Sequence, residues 1–221
     1  MTKFIYTIGL IAALLCSCNA QSQRKFSNFK FENQEYSYAF QLPENYDPDK
    51  TYPVLVGPSD VKDNDDQSFY WRGTKNTEGW ILIDYPIYNA TGRLDEIKAF
   101  LKHITSTFNV EDDKFHTVCF SANSASIFDL VMAMPDHFTG ITGMAGNPGT
   151  RDIEKLSKLK GVKVQFIVGD RDSHWMGAAK DRHELLISAG VESQIEIIKN
   201  GPHVLQDLIG KGFLERAHRL R

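Results

Sequence analysis

The stretch Thr117-Val118-Cys119-Phe120-Ser121-Ala122-Asn123-Ser124 restricts the possible folds of this 221-residue chain more than any other. Strand-like apolar residues (Phe115, Val118, Phe120) run up to Ser121 and stop. Small and apolar residues at helix-compatible positions (Ala122, Ala125, Ile127, Leu130, Met132) begin immediately after it. A strand that passes directly into a helix has no loop, so the serine between them must sit on a sharp turn. That turn lifts the hydroxyl off the sheet and sets it beside the unpaired amides of the helix N-terminus.

The rest of the chain extends the same βα pattern. Strands are expected over Tyr36–Leu42, Tyr52–Val56, Trp80–Asp84, His116–Phe120, Gly140–Ala145, Val162–Val168 and Ser193–Lys199. Leu94, Ile97, Leu101, Ile104 and Phe108 recur at helical spacing and predict an amphipathic helix from about Arg93 to Phe108. Further helices are expected over Ala122–Met134, stopped by Pro135, over Trp175–Ala189, and over Val204–Leu220, where Gly210 and Gly212 weaken the middle. Strands alternating with helices imply parallel strands joined by crossovers. The expected architecture is α/β, a three-layer sandwich with a mostly parallel sheet. At 42% hydrophobic residues the chain can bury one core, in a single domain over residues 28–221.

The formal net charge is -3, with Lys and Arg scattered rather than clustered, so no nucleic-acid partner is expected. The N-terminus reads as a targeting segment outside the fold. Lys3 is followed by an apolar run from Phe4 to Leu15, too short for a comfortable permanent span. Leu15-Cys16-Ser17-Cys18 resembles a bacterial lipobox, with a signal peptide over residues 1–17 and Cys18 as the lipidated residue. Leu15 is too large to precede a modified Cys16. The alternative is an ordinary secretory signal cut near Ala20. Residues 18–27 then read as a polar tether, and the membrane is contacted only through the anchor, at the cell envelope. Cys119 alone remains in the mature domain, which leaves no disulfide and no cysteine-based metal site.

A serine hydroxyl becomes a nucleophile when a base takes its proton and a carboxylate orients that base. Ser121, an acid in the turn Gly169-Asp170-Arg171-Asp172, and His203 in Gly201-Pro202-His203 supply this set, each after a strand, where open parallel sheets gather functional groups. Asp172 is the chosen acid, with Asp170 second. The order Ser, Asp, His is that of α/β-hydrolases.

From about Tyr36 onward the chain resembles, within that superfamily, secreted esterases of the poly(3-hydroxybutyrate) depolymerase and feruloyl esterase type. The resemblance is carried by Leu42-Pro43-Glu44-Asn45-Tyr46-Asp47 with Tyr52-Pro53-Val54-Leu55-Val56, and by Asn109-Val110-Glu111-Asp112-Asp113-Lys114 leading into Phe120-Ser121-Ala122. Pro135-Asp136-His137-Phe138, Gly143-Met144-Ala145-Gly146, and the acid and histidine turns continue it. It implies a minimal α/β-hydrolase fold with no lid domain, no metal or organic cofactor, and a small-molecule or polysaccharide-linked ester as substrate. Ser121, Asp172 and His203 would be catalytic.

The chain departs from that pattern twice. The usual G-x-S-x-G has Cys119 and Asn123 in place of its glycines. The His-Gly expected after the strand at Val54–Val56 is replaced by Gly57-Pro58-Ser59-Asp60. Pro58 has no N–H, so the oxyanion donors would be the Ala122 N–H with that of Ser59 or Asp60. The alternative function is a catalytically silent domain binding a ligand or partner at the envelope; a peptidase of the same fold is a third.

The remaining features have ordinary readings. Asp60, Asp63, Asp65 and Asp66 lack the ordered spacing of a calcium loop and read as a solvated segment. Trp71 and Trp175 are expected in the core, with an aromatic platform as the alternative. Cys119 is expected to pack beneath the serine turn. His103, His116, His137, His183 and His218 read as surface or packing residues; His174, near the acid, is the one that could enter the cleft.

Overall fold

The computed structural model describes residues 23–59, 67–90 and 92–221. Cys18 and its signal segment, Asp60 and the rest of the acidic cluster lie outside the described residues. The strands are β1 (Arg24–Phe31), β2 (Gln34–Gln41), β3 (Tyr52–Pro58), β4 (Ile81–Tyr85), β5 (Val110–Phe120), β6 (Phe138–Met144), β7 (Lys163–Gly169) and β8 (Ser193–Ile198). The helices are α1 (Leu94–Thr107), α2 (Ser124–Ala133), α3 (Ile153–Leu156), α4 (Ser173–Ser188) and α5 (Lys211–Leu220). The strands form one sheet in the order β1-β2-β4-β3-β5-β6-β7-β8. β1 and β2 are antiparallel to their neighbours, and all pairs from β4 to β8 are parallel.

Alternation along the strands builds two cores, one on each face. Val54, Val56, Ile81, Ile83 and Phe115 pack with α1 residues Ile97, Phe100 and Ile104 and with α2 residues Ile127, Phe128 and Val131. Leu55, Leu82, Val118, Met144 and Ile167 point the other way, to Trp71, Trp80 and α5 residues Phe213, Leu214 and Ala217. The period-two side-chain pattern thus produces the expected three layers.

Two expectations are corrected. The tether expected over residues 18–27 is shorter at its end, because Arg24 to Ser27 pair with Gln41 to Tyr38 in β1. This edge strand is mostly polar and buries little beyond Phe29, so its sequence carries no core signal. The closing helix starts at Lys211 rather than Val204. Extended Ile209 ends the preceding 3₁₀ turn at Gln206–Leu208, and Gly210, at φ 77, stands just before the helix with its N–H donating to the Tyr70 carbonyl at 2.7 Å.

One buried carboxylate ties three segments together at the carboxyl end of β4. Asp84 accepts from Arg24 Nε of β1 at 2.9 Å, from the Ser68 N–H at 3.0 Å and from Trp71 Nε1 at 3.1 Å. Trp71 packs directly over Gly57, where a Cβ would come within 2.3 Å of the indole. The Gly57 that displaces the expected His-Gly is therefore a packing residue. Burial raises the Asp84 carboxyl from the ordinary 3.8 to about 6, against the opposing pull of Arg24 and the two N–H donors. The folded state then holds the proton more tightly than the unfolded chain. The contribution is full below 3.8 and is lost as pH rises through about 6. Asp84→Asn retains an acceptor for Ser68 and Trp71, so wild-type stability relative to this variant should fall between about pH 4 and about pH 7 in urea unfolding. A difference independent of pH would contradict the assignment.

Candidate active site

Ser121 lies between β5 and α2 with φ 48, a left-handed conformation that costs a non-glycine residue roughly 1–3 kcal/mol. The turn is held from below: the Ser121 N–H donates to the Ala145 carbonyl at 3.0 Å, and the Ala145 N–H donates to Ile167 at 2.8 Å. Ser121 to Asn123 form a 3₁₀ turn before α2, and the Ser124 hydroxyl donates to the Ser121 carbonyl at 2.6 Å. The space that flanking glycines usually provide comes from Gly146. A Cβ there would lie 2.9 Å from Ser124 Cβ and 3.3 Å from Cys119 Sγ. Cys119 is buried as expected, and burial pushes its thiol well above the usual range, which disfavours the reactive thiolate.

The acid and histidine turns meet through an unusually close backbone approach. A Cβ at Gly169 would fall 2.0 Å from the Gly201 carbonyl oxygen, and one at Gly201 would fall 2.9 Å from Gly169 Cα. The Arg171 N–H donates to the Gly201 carbonyl at 3.0 Å and the Asp170 N–H to Ile198 at 3.1 Å. These contacts clamp the end of β7 to the end of β8. Asp172 then serves two purposes with two oxygens. Oδ1 caps α4 by accepting the Trp175 N–H at 3.4 Å, and Oδ2 accepts from His203 Nδ1 at 2.5 Å. His203 Nε2 lies 3.1 Å from Ser121 Oγ. With Nδ1–H given to the carboxylate, Nε2 carries the lone pair that accepts the serine hydroxyl. Asp172, not Asp170, faces the imidazole; Asp170 is exposed. The side chain of Asp172 is 11% exposed and that of His203 is 38% exposed, so the carboxylate is sheltered while the base reaches solvent.

Aromatic rings surround the imidazole. Phe120 lies 5.0 Å and Trp175 5.9 Å from His203, and Phe69 stacks on Phe120 at 5.4 Å. Trp175 is therefore half-buried beside the site, whereas Trp71 is wholly core. His174 is exposed and meets Trp175 edge-on. His116 is fully buried, where burial lowers it to about 3, and pairs through Nε2 with Thr142 Oγ1 at 2.9 Å. A cavity of about 430 Å³ opens at the opposite ends of the strands, between Trp80, Lys114, Lys163 and Arg221, and no residue of the Ser121 group lines it.

The expected oxyanion donors fare differently. Ala122 is exposed in the first turn after Ser121, where helical geometry leaves N–H groups without an intrahelical acceptor. The Ser59 N–H instead continues the β3–β4 ladder by donating to the Tyr85 carbonyl at 3.3 Å. Ser59 is buried and its N–H is committed, which corrects its expected role as a donor to substrate. Sequence reasoning also missed the side chain of Asn123, whose Oδ1 accepts the Phe120 N–H at 2.9 Å, and the aromatic flank Phe69 and Phe120.

No family model matches the chain, and no curated protein matches it. Solved structures do. The feruloyl esterase module from Clostridium thermocellum in complex with sinapinate superposes with a TM-score of 0.66 at 11% identity, covering 88% of this chain and 88% of that one. Dienelactone hydrolase from Anabaena variabilis gives 0.62 at 11% identity, over 90% of this chain and 97% of that one. A Bacteroides ovatus protein assigned as a dipeptidyl aminopeptidase IV gives 0.67 at 13% identity over 90% of this chain, which spans 35% of that longer protein. The chain has the α/β-hydrolase fold.

Gly169→Ala should lower stability by roughly 1–3 kcal/mol in urea unfolding, since the added methyl meets backbone that cannot yield cheaply. Gly177→Ala in α4, where nothing lies within 4 Å, should be neutral or stabilising by up to about 1 kcal/mol.

Proposed function

We propose that this chain is a serine hydrolase that cleaves a carboxylic ester through an acyl-enzyme. The observation that carries the proposal is the continuous hydrogen-bonded line Asp172–His203–Ser121, assembled from three separate strand ends with the serine on a left-handed turn.

The chemistry follows from the geometry. Ser121 Oγ attacks the ester carbonyl carbon while its proton passes to His203 Nε2. Asp172 holds the ring and stabilises the imidazolium that forms. The oxyanion of the tetrahedral intermediate accepts the Ala122 N–H. As the C–O bond to the alcohol breaks, His203 returns its proton to the departing oxygen and leaves an acyl-Ser121. Water, deprotonated by the same Nε2, then attacks the acyl carbon, releases the acid and regenerates the hydroxyl. The half-exposed imidazole and sheltered carboxylate suit these roles, because His203 must reach both leaving group and water.

The commitment of the Ser59 N–H favours one further reading, a catalytically silent domain that binds a ligand or partner. Loss of a single oxyanion donor typically costs about 10²–10³ in rate. The ester reading therefore describes a slow enzyme unless a second donor comes from elsewhere. Soluble and polysaccharide-linked esters are both within its scope; a panel of acetylated xylan, feruloylated sugars and simple acyl esters would rank them. We place the protein at a bacterial envelope, lipid-anchored through Cys18, on the lipobox-like sequence.

Two experiments test these readings. A fluorophosphonate probe should label Ser121 stoichiometrically, and Ser121→Ala should reduce p-nitrophenyl ester hydrolysis by at least about 10³-fold. Hydrolysis that survives the substitution sinks the assignment. Cys18→Ala in the full chain expressed in a bacterial host should move the protein from the membrane to the soluble fraction.

A further inference from the structure

A strand's successive N–H groups point to opposite neighbours. At the end of β5 the Ser121 N–H goes to the β6 side, to Ala145, so the Phe120 N–H points toward β3. The β3–β5 pairing ends at Val56 and Thr117, and in that register Pro58 and Ser59 stand at this height. The Phe120 N–H is met by Asn123 Oδ1 at 2.9 Å, three residues ahead and across the turn that contains Ser121. Because a backbone N–H only donates, the atom facing it must be the amide oxygen, which also fixes the orientation of the Asn123 side chain.

We propose that Asn123 is a positioning residue for Ser121: its side-chain carbonyl locks the turn that holds the serine at φ 48 and so sets Oγ within reach of His203. It acts through the backbone and touches no reacting atom. Asn123, one of the departures from the expected esterase pattern, thus supplies an acceptor for the Phe120 N–H just beyond the end of the β3–β5 pairing. A glycine at this position would fit sterically and would remove this acceptor, leaving the strained turn freer to relax.

The inference rests on the reading of Ser121 as nucleophile, and it makes an unintuitive expectation: restoring glycine lowers activity. Asn123→Gly and Asn123→Ala should each lower kcat for a p-nitrophenyl ester, and the rate of fluorophosphonate labelling, by about tenfold or more with KM little changed, because small displacements of a nucleophile are costly. Asn123→Asp keeps the acceptor and should recover most of the labelling rate. The Phe120 amide should exchange with solvent faster in the glycine and alanine variants and at the wild-type rate in the aspartate variant. All measurements belong at a temperature where each variant is folded by circular dichroism. If wild type is labelled at Ser121 and Asn123→Gly matches it in rate, the positioning role is overturned while the hydrolase reading stands. If wild type is not labelled and Ser121→Ala hydrolyses as well as wild type, the hydrolase reading fails; faster Phe120 exchange in Asn123→Gly would still uphold the turn lock, and unchanged exchange would overturn it.

Discussion

Ser121 occupies a backbone conformation that a serine does not choose, and much of the surrounding structure exists to keep it there. A left-handed residue at the end of β5 is stable only when its neighbours over-determine it. Ala145 takes its N–H, Ser124 ties its carbonyl, Asn123 takes the N–H of the residue before it, and Gly146 leaves the space beneath. The cost of the strained turn is spread over these contacts, and the return is a hydroxyl raised above the strand ends.

The partners of that hydroxyl depend on a second constraint, the contact between Gly169 and Gly201. Residues 172 and 203 are brought within one hydrogen bond because two backbone segments approach more closely than any side chain would allow. Asp172 is fixed further by capping α4, so helix formation and site assembly draw on the same carboxylate. On the far side, Asp84 joins β1, β4 and the segment bearing Phe69 and Trp71, which places Phe69 against Phe120 and closes the aromatic wall around His203. The site is thus built by backbone proximity at one end of a parallel sheet, with few long polar side chains involved.

How much of this was legible depended on whether the signal was local. The parallel strands with alternating or continuous apolar runs were readable because each is buried on one or both faces. β1 was not, since an edge strand with little buried surface has the composition of a linker. The end of the last helix at Leu220 was readable and Gly210 was visible as a weak point, but its start was not: Gly210 precedes it in a conformation tied to Tyr70, a residue far away in sequence. Among candidate residues, Ser121 and His203 were visible as residues following strands, and the preference for Asp172 over Asp170 rested on the turn after β7 and its resemblance to the esterase acid turn. The Ser59 N–H looked available from the sequence because a backbone group's partner leaves no mark on residue identity.

The sequence by itself determined the class of fold, the order of serine, acid and histidine, and the two departures from the common esterase pattern, because periodicity, turn residues and motif order are properties of neighbouring positions. Tertiary structure alone decided which aspartate faces the imidazole, that the Ser59 N–H is committed to Tyr85, and that the Asn123 side chain meets the Phe120 N–H. Each of those depends on the distance between strand ends set by glycine contacts and sheet register, and no run of adjacent residues encodes that distance.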